Sequence, residues 1–341
     1  MRKDAFEADV QMARNIYDDN RDGNKRPTFF DRIRKEREEI SPDEPKVLDN
    51  PTLVNFFKLA GRKINTLLYV NLLFVFTNFP IFFVLFAISG YPSLHSFAPP
   101  YQQFAPLLGA SYFDDSPVIA ALMGIFGVQT DITVPTAATY IFFALGLLLL
   151  FTFGPANVGT TYLLRSMVRE EAIFLWSDFW DAIKRNLKQE FGFGILDLVI
   201  MGLLGYDFLY FYLNLNGTMM MNILFFLTFA MIIVYAMMRM YIYLMMITFD
   251  LSIFKLLKNA LFFTILGIKR NIMALLGIVL LLALEYVFMV VFFPVAVILP
   301  FIFLFSVSGL MSAYAAYPKI KEIMIDPYYK ETAPQADSET E

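Results

Sequence analysis

The sequence predicts an all-α membrane protein with six transmembrane helices and two cytoplasmic interfacial elbow helices, arranged in a pattern that suggests an internal parallel repeat. Three observations lead there. The chain is 58% hydrophobic with a mean hydropathy of +0.57, and 17% of its residues are charged, against about 25% in an ordinary soluble chain. Its apolar residues gather into runs close to the ~20 residues that a ~30 Å hydrocarbon core requires. Finally, apart from Arg239, Lys and Arg are confined to the two ends of the chain and to alternate connections between those runs. This composition excludes a soluble enzyme or a nucleic-acid binder as the main reading and makes the lipid bilayer the first partner. With no Cys and one His, His95, neither disulfides nor thiolate metal sites are available; no metal site and no cofactor are expected.

Residues 1–65 read as a charged cytoplasmic N-terminal arm, with Asp31–Glu39 as a short charged helix ended by Ser41 and Pro42. No apolar run follows Met1-Arg2-Lys3, so the first span is expected to serve as an uncleaved signal anchor. A transmembrane domain over 66–317 follows, with spans near 66–89, 136–160, 191–213, 221–247, 272–292 and 294–316, then a cytoplasmic tail over 318–341. Pro80, Pro155 and Pro300 fall inside spans, where neighbouring groups can satisfy the freed carbonyls. The connections 90–135, 214–220 and 293–294 hold no Lys or Arg. The positive-inside rule then places both termini and both basic loops in the cytoplasm of a multi-pass protein in a bacterial plasma membrane.

The long extracellular insertion 90–135 combines aromatic rings and carboxylates, with Tyr101, Tyr112, Phe113, Asp114 and Asp115 as contact candidates. Such groups can stack on and hydrogen-bond a sugar, or form a surface for a protein such as a solute-binding protein. The two basic loops carry the elbows, over 174–190 and 250–267. In the first, Trp176, Phe179, Trp180 and Ile183 recur at helical spacing opposite a charged face, the pattern of an amphipathic interfacial helix. The second repeats it 74 residues later: Phe254 falls on Trp180, Leu257 on Ile183, and Arg239 on Arg165. A duplication and two unrelated elbows both fit this offset.

Ionisable residues inside spans are the default functional candidates, because an unpaired charge in lipid is costly. Asp197 and Arg239 lie about 9 and 12 Å from the cytoplasmic ends of their spans at 1.5 Å per residue, so they are candidates for an ion pair. Asp207 and Glu285 sit in the outer halves and, with Asn71, Asn78 and Asn157, form a candidate polar cavity. No phosphate-binding glycine loop, His-Glu-x-x-His or Gly-x-Ser-x-Gly motif occurs, and the chain is not expected to be an enzyme.

Two stretches carry a family resemblance. One is D-N-P-T-L-V-N-F-F-K-L-A-G-R-K-I-N-T-L-L-Y-V-N-L-L-F (Asp49–Phe74), followed by Asn78-Phe79-Pro80. The other is F-G-P-A-N-V-G-T-T-Y-L-L-R-S-M-V-R-E-E (Phe153–Glu171), running into W-S-D-F-W-D-A-I-K-R-N-L-K-Q (Trp176–Gln189). They resemble the YesL-like family of bacterial integral membrane proteins over about 49–330; Gly154, Pro155, Ala156, Tyr162, Arg165, Arg169, Phe179 and Lys184 fall on its pattern. The extension 1–48 and the insertion 90–135 depart from it by their length. The family has no established activity, but its members are typically encoded in Gram-positive bacteria beside ATP-binding-cassette (ABC) carbohydrate importers. The resemblance therefore implies an accessory membrane subunit of an ABC-type carbohydrate (oligosaccharide) importer, docked to its permease subunits through the elbows. The alternatives are an independent secondary transporter or channel using the intramembrane carboxylates, and a non-transporting scaffold or regulator.

Overall fold

The computed structural model describes residues 51–98, 130–215 and 217–327, with Pro117, Val118 and Ala121. Contacts divide the chain into residues 1–46 and 47–341, and all the described residues belong to the second unit. The candidates Tyr101, Tyr112, Phe113, Asp114 and Asp115 lie outside the described residues.

Helix α1 (Leu53–Arg62) begins where the Thr52 hydroxyl caps Asn55 N, as Thr does at helix N-termini. It buries Phe56 and Leu59. The Tyr314 hydroxyl donates to Thr52 O at 2.7 Å and the Tyr314 ring meets Phe56 edge-on at 5.4 Å. The folded body thus begins before Leu53, and not at residue 66 where the charged composition gives way. Arg62 at the end of α1 adds an ion pair to Glu170 at 2.7 Å, while Leu53, Val54 and Phe57 stay exposed.

The first span is broken. Helices α2 (Ile64–Thr77) and α3 (Pro80–Ile88) meet at a 60° bend. Pro80 has no N–H to continue the ladder and its ring would clash with a carbonyl one turn back, so it begins a new helix. The connection after α3 begins and ends in a two-stranded antiparallel ladder, β1 (Leu94–Ala98) on β2 (Thr130–Val134), with Leu94 opposite Val134. The alternating β-branched run Thr130, Ile132, Val134 was the readable signal for it.

Helices α4 (Ala137–Gly146) and α5 (Leu149–Val168) together form one apolar rod, Ala137–Val168. Helix α6 (Leu175–Leu213) is a single 39-residue helix. The first elbow is therefore continuous with its span, because nothing between Leu175 and Leu213 breaks the helix: no Pro occurs there. The second elbow is separate: α7 (Met219–Thr248) leads to α8 (Ile253–Leu266), and Gly267 divides α8 from α9 (Ile268–Val291). A Cβ on Gly267 would lie 2.3 Å from the Tyr241 hydroxyl. Tyr241 in turn donates to Asn271 Oδ1 at 2.7 Å, fixing the break.

The last rod comprises α10 (Phe293–Leu299), a π-helical stretch Pro300–Leu304, α11 (Phe305–Ile320) and a closing π turn, Lys321–Ile325. Among the described residues five rods are long and apolar enough to cross a membrane, and the bent α2–α3 pair, counted as one span, makes a sixth. Only 6% of the apolar window of α9 is buried within the protein, an exterior that suits lipid and not water. This is a multi-pass, essentially helical membrane protein. Buried side chains gather toward the end where Lys and Arg collect: Leu163–Val168 of α5, Met240–Met246 of α7 and Ala313–Tyr317 of α11.

Candidate functional site

At the centre of the bundle, α6 supplies Asp197 and α7 supplies Tyr235, Arg239 and Tyr243, one helical turn apart from each other. Asp197 is fully buried. Arg239 Nε donates to Asp197 Oδ2 at 2.8 Å and Oδ1 at 3.1 Å. The Tyr235 hydroxyl donates to Oδ1 at 2.7 Å and the Tyr243 hydroxyl to Oδ2 at 2.5 Å. Both carboxylate oxygens are thus engaged twice, which offsets their removal from water. Arg239 Nη2 reaches Asn157 Oδ1 on α5 at 3.1 Å, and the guanidinium lies 5.4 Å from the Phe153 ring centre. The cluster therefore joins three helices. The tyrosines were missed by the sequence reading, although the spacing Tyr235, Arg239, Tyr243 puts all three on one face of a helix.

Where α5 crosses α6 there is no room for side chains. A Cβ on Gly154 would sit 2.1 Å from Glu190 O, and one on Gly194 would sit 2.6 Å from Gly154 Cα. Small residues let membrane helices approach in this way. The Glu190 side chain is fully buried beside the crossing, and neither carboxyl oxygen has a hydrogen-bond partner. It too was missed; its place on the apolar stripe, seven residues before Asp197, was the signal available. Arg165, the counterpart of Arg239 at the 74-residue offset, has a different task. Its Nη1 donates to Ile247 O at 3.3 Å and Thr248 Oγ1 at 3.1 Å, capping α7 with the cation that a helix C-terminus favours.

A cavity of about 460 Å³ opens beside the cluster, walled by α2, α5, α6, α7, α9 and α11. Arg239 and Asn157 lie on its wall, together with Thr160, Thr161, Ser308 and Ser312. Of the polar residues expected to share a cavity, the structure brings only Asn157 here. Asp207 and Glu285 are half-buried and do not line it; Glu285 Oε1 is buried without a hydrogen-bond partner. Asn78 donates to Phe74 O at the break of the first span. Asn71 is a staple. Its Nδ2 donates to Pro300 O at 2.8 Å while its Oδ1 accepts from Phe305 N and Ser306 N, each at 3.0 Å. These are backbone groups freed by the π-helical stretch. Replacing Asn71 with Leu leaves them unpaired in the interior, at about 1–3 kcal/mol for each buried group. The expected result is a clear drop in thermal stability in detergent; an unchanged unfolding temperature would contradict the staple.

The elbow residues divide. Phe179 and Ile183 are buried, Phe179 filling the space left by Gly159. Trp176 and Phe254 are 68% and 77% exposed, Trp180 is exposed at the margin, and Leu257 is half-buried. Trp176 and Trp180 meet edge-on at 5.8 Å. Among the described residues no three His, Asp or Glu side chains cluster as a metal-binding group.

No curated protein and no solved structure matches the chain. Residues 134–208, which hold α4, α5 and most of α6 and so include Asn157, Glu190, Gly194 and Asp197, are similar to the family described as protein of unknown function DUF624.

Proposed function

We propose that the protein is an accessory integral membrane subunit of an ABC-type carbohydrate importer, docked to the permease subunits by an aromatic face at its basic end. That end lies in the cytoplasm of a bacterial plasma membrane by the positive-inside rule, with the 90–135 insertion outside, where a solute-binding protein is a further partner. The chain acts by docking and performs no chemistry of its own. The observation that most favours this reading is that both tryptophans of the chain, Trp176 and Trp180, stand exposed on the part of α6 that precedes the apolar window Leu187–Leu213. Trp is, with Tyr and Arg, enriched among the residues that carry most of the energy of protein interfaces, and aromatic rings in general are enriched there.

The test is purification in mild detergent from the native membrane. Permease subunits are expected in stoichiometric amounts, and the triple variant Trp176→Ala, Trp180→Ala, Phe254→Ala is expected to lose them. A clean, lone protein would sink the proposal. Retention by the triple variant would leave the importer association standing and remove this face, as when the rings serve only as anchors at the bilayer surface.

The central cavity favours a second reading, an independent carrier or channel. Since Asp207 and Glu285 lie off the cavity, this version relies on the Arg239 wall. Solute flux into proteoliposomes containing the purified protein alone is its test. The third reading, a scaffold or regulator without transport, predicts neither flux nor importer subunits.

A further inference from the structure

We propose that the central cavity is a binding site for a small, uncharged, polyhydroxylated molecule. At about 460 Å³, it lies within the roughly 300–1,000 Å³ of small-molecule pockets and has their composition, an apolar wall with a few convergent polar groups. The polar groups decide what fits.

Most of them face the cavity as acceptors. The Thr160 hydroxyl donates back to Ala156 O at 2.6 Å, Ser308 to Leu304 O at 2.7 Å and Ser312 to Ser308 O at 2.9 Å. The Tyr235 hydroxyl donates to Asp197. Each has spent its proton within the protein and keeps lone pairs for a ligand. A few groups remain able to donate, among them the second Nδ2 proton of Asn157, whose other goes to Phe153 O. The Thr161 hydroxyl lines the cavity without a hydrogen bond to the protein, and Arg239 Nη1 is left over when Nε and Nη2 have found Asp197 and Asn157. Arg239 keeps 28% of its side-chain surface accessible.

This inventory excludes both kinds of ion. The Arg239–Asp197 pair carries no net charge, so the wall offers no full counter-charge to a cation or to an anion. A hydroxyl group, by contrast, both donates and accepts. Several hydroxyls on one small frame satisfy the Ser and Thr acceptors while one oxygen takes the Arg239 proton. The apolar remainder of the wall, with Phe74 and Phe305 at 5.1 Å between ring centres and with Leu275 and Ile278, suits the C–H face of such a ring.

Gly205 makes the site testable. It lines the cavity, and an added Cβ there would meet nothing within 4 Å, so a larger side chain can enter the empty space. The wild-type protein is placed in lipid nanodiscs free of glycoside detergents, whose headgroups are polyols themselves. Glucose, maltose, sodium phosphate and choline chloride are then titrated at millimolar concentrations, read by calorimetry and by unfolding temperature. Saturable binding of glucose or maltose is expected, with none of phosphate or choline. Gly205→Phe should abolish it, and Ser312→Ala should weaken it about tenfold, the equivalent of one ligand hydrogen bond. Should Gly205→Phe fail to fold, Ser312→Ala and Thr161→Ala carry the comparison. Absence of binding by both neutral probes, equal binding of an ion, or undiminished binding by the variants would overturn the proposal. The site is independent of the docking face: Gly205→Phe leaves Trp176, Trp180 and Phe254 in place, so a failure of one proposal is distinguishable from a failure of the other.

Discussion

Arg239→Leu is expected to destabilise the protein by about 3–5 kcal/mol, the usual consequence of removing one partner from a buried ion pair. The loss comes from Asp197 more than from Arg239. The carboxylate is fully buried, and without the guanidinium it keeps only the two tyrosine hydroxyls. Asp197→Leu should cost a similar amount by stranding the cation. The double variant Asp197→Leu, Arg239→Leu should recover much of the loss, because it removes both charges together and puts apolar groups in their place. Tyr235→Phe or Tyr243→Phe should cost about 1 kcal/mol, in line with the modest worth of hydrogen bonds between membrane helices. A double-mutant cycle on the purified protein, read by unfolding temperature and by the monodisperse fraction after solubilisation, checks all of this. Additive losses in the double variant would show that the two side chains do not act as a pair.

The second large effect is expected at the helix crossing. Gly154→Ala and Gly194→Ala each add one methyl group where the neighbour is backbone: Glu190 O at 2.1 Å in the first case, Gly154 Cα at 2.6 Å in the second. No rotamer change relieves such a clash. Helices α5 and α6 must separate, at about 3 kcal/mol or more, the upper end of what overpacking costs. Separation would also pull Asn157 away from Arg239. Gly202→Ala is the control on the same helix. A Cβ there meets nothing within 4 Å, and replacing a helical glycine with alanine should be neutral or stabilising by up to about 1 kcal/mol. Folded yields matching the wild type for Gly154→Ala would refute the crossing.

These two sites show how differently features can be written in a sequence. The apolar runs announce the spans because lipid imposes a length, and Asp197 and Arg239 stand out because charge is rare in such runs. Helical spacing also links Tyr235 to Arg239 and Tyr243, but only once a reason to look at Arg239 exists. Gly154 and Gly194 have no such periodic signature. They are far apart in the chain, and only the crossing of α5 and α6 makes them neighbours. Asn71 is a similar case: its partners are the backbone of Pro300, Phe305 and Ser306, and backbone groups leave no trace in residue types. The division of the elbow stripe, with Phe179 buried and Trp176 exposed, follows from which neighbour covers it. The apolar pattern records only that a surface is covered, by protein or by lipid alike. The bend at Pro80 was legible as an interruption, while its 60° angle depends on how α3 packs against α4.

That bend makes the protein's hydrophobic height uneven around its perimeter. With α2 upright, its 14 residues rise about 21 Å, and the 9 residues of α3, inclined at 60°, add about 7 Å. The first span therefore reaches about 28 Å, whereas the apolar part of α9, from Ile272 after Lys269, Arg270 and Asn271 to Val291, measures about 30 Å. One flank falls short of a ~30 Å hydrocarbon core while the other matches it, so the surrounding bilayer is expected to thin beside α2 and α3. A lipid boundary of varying thickness assigns a preferred orientation to any neighbour that shares it: a protein with a short hydrophobic belt relieves the most membrane strain on the α2–α3 side.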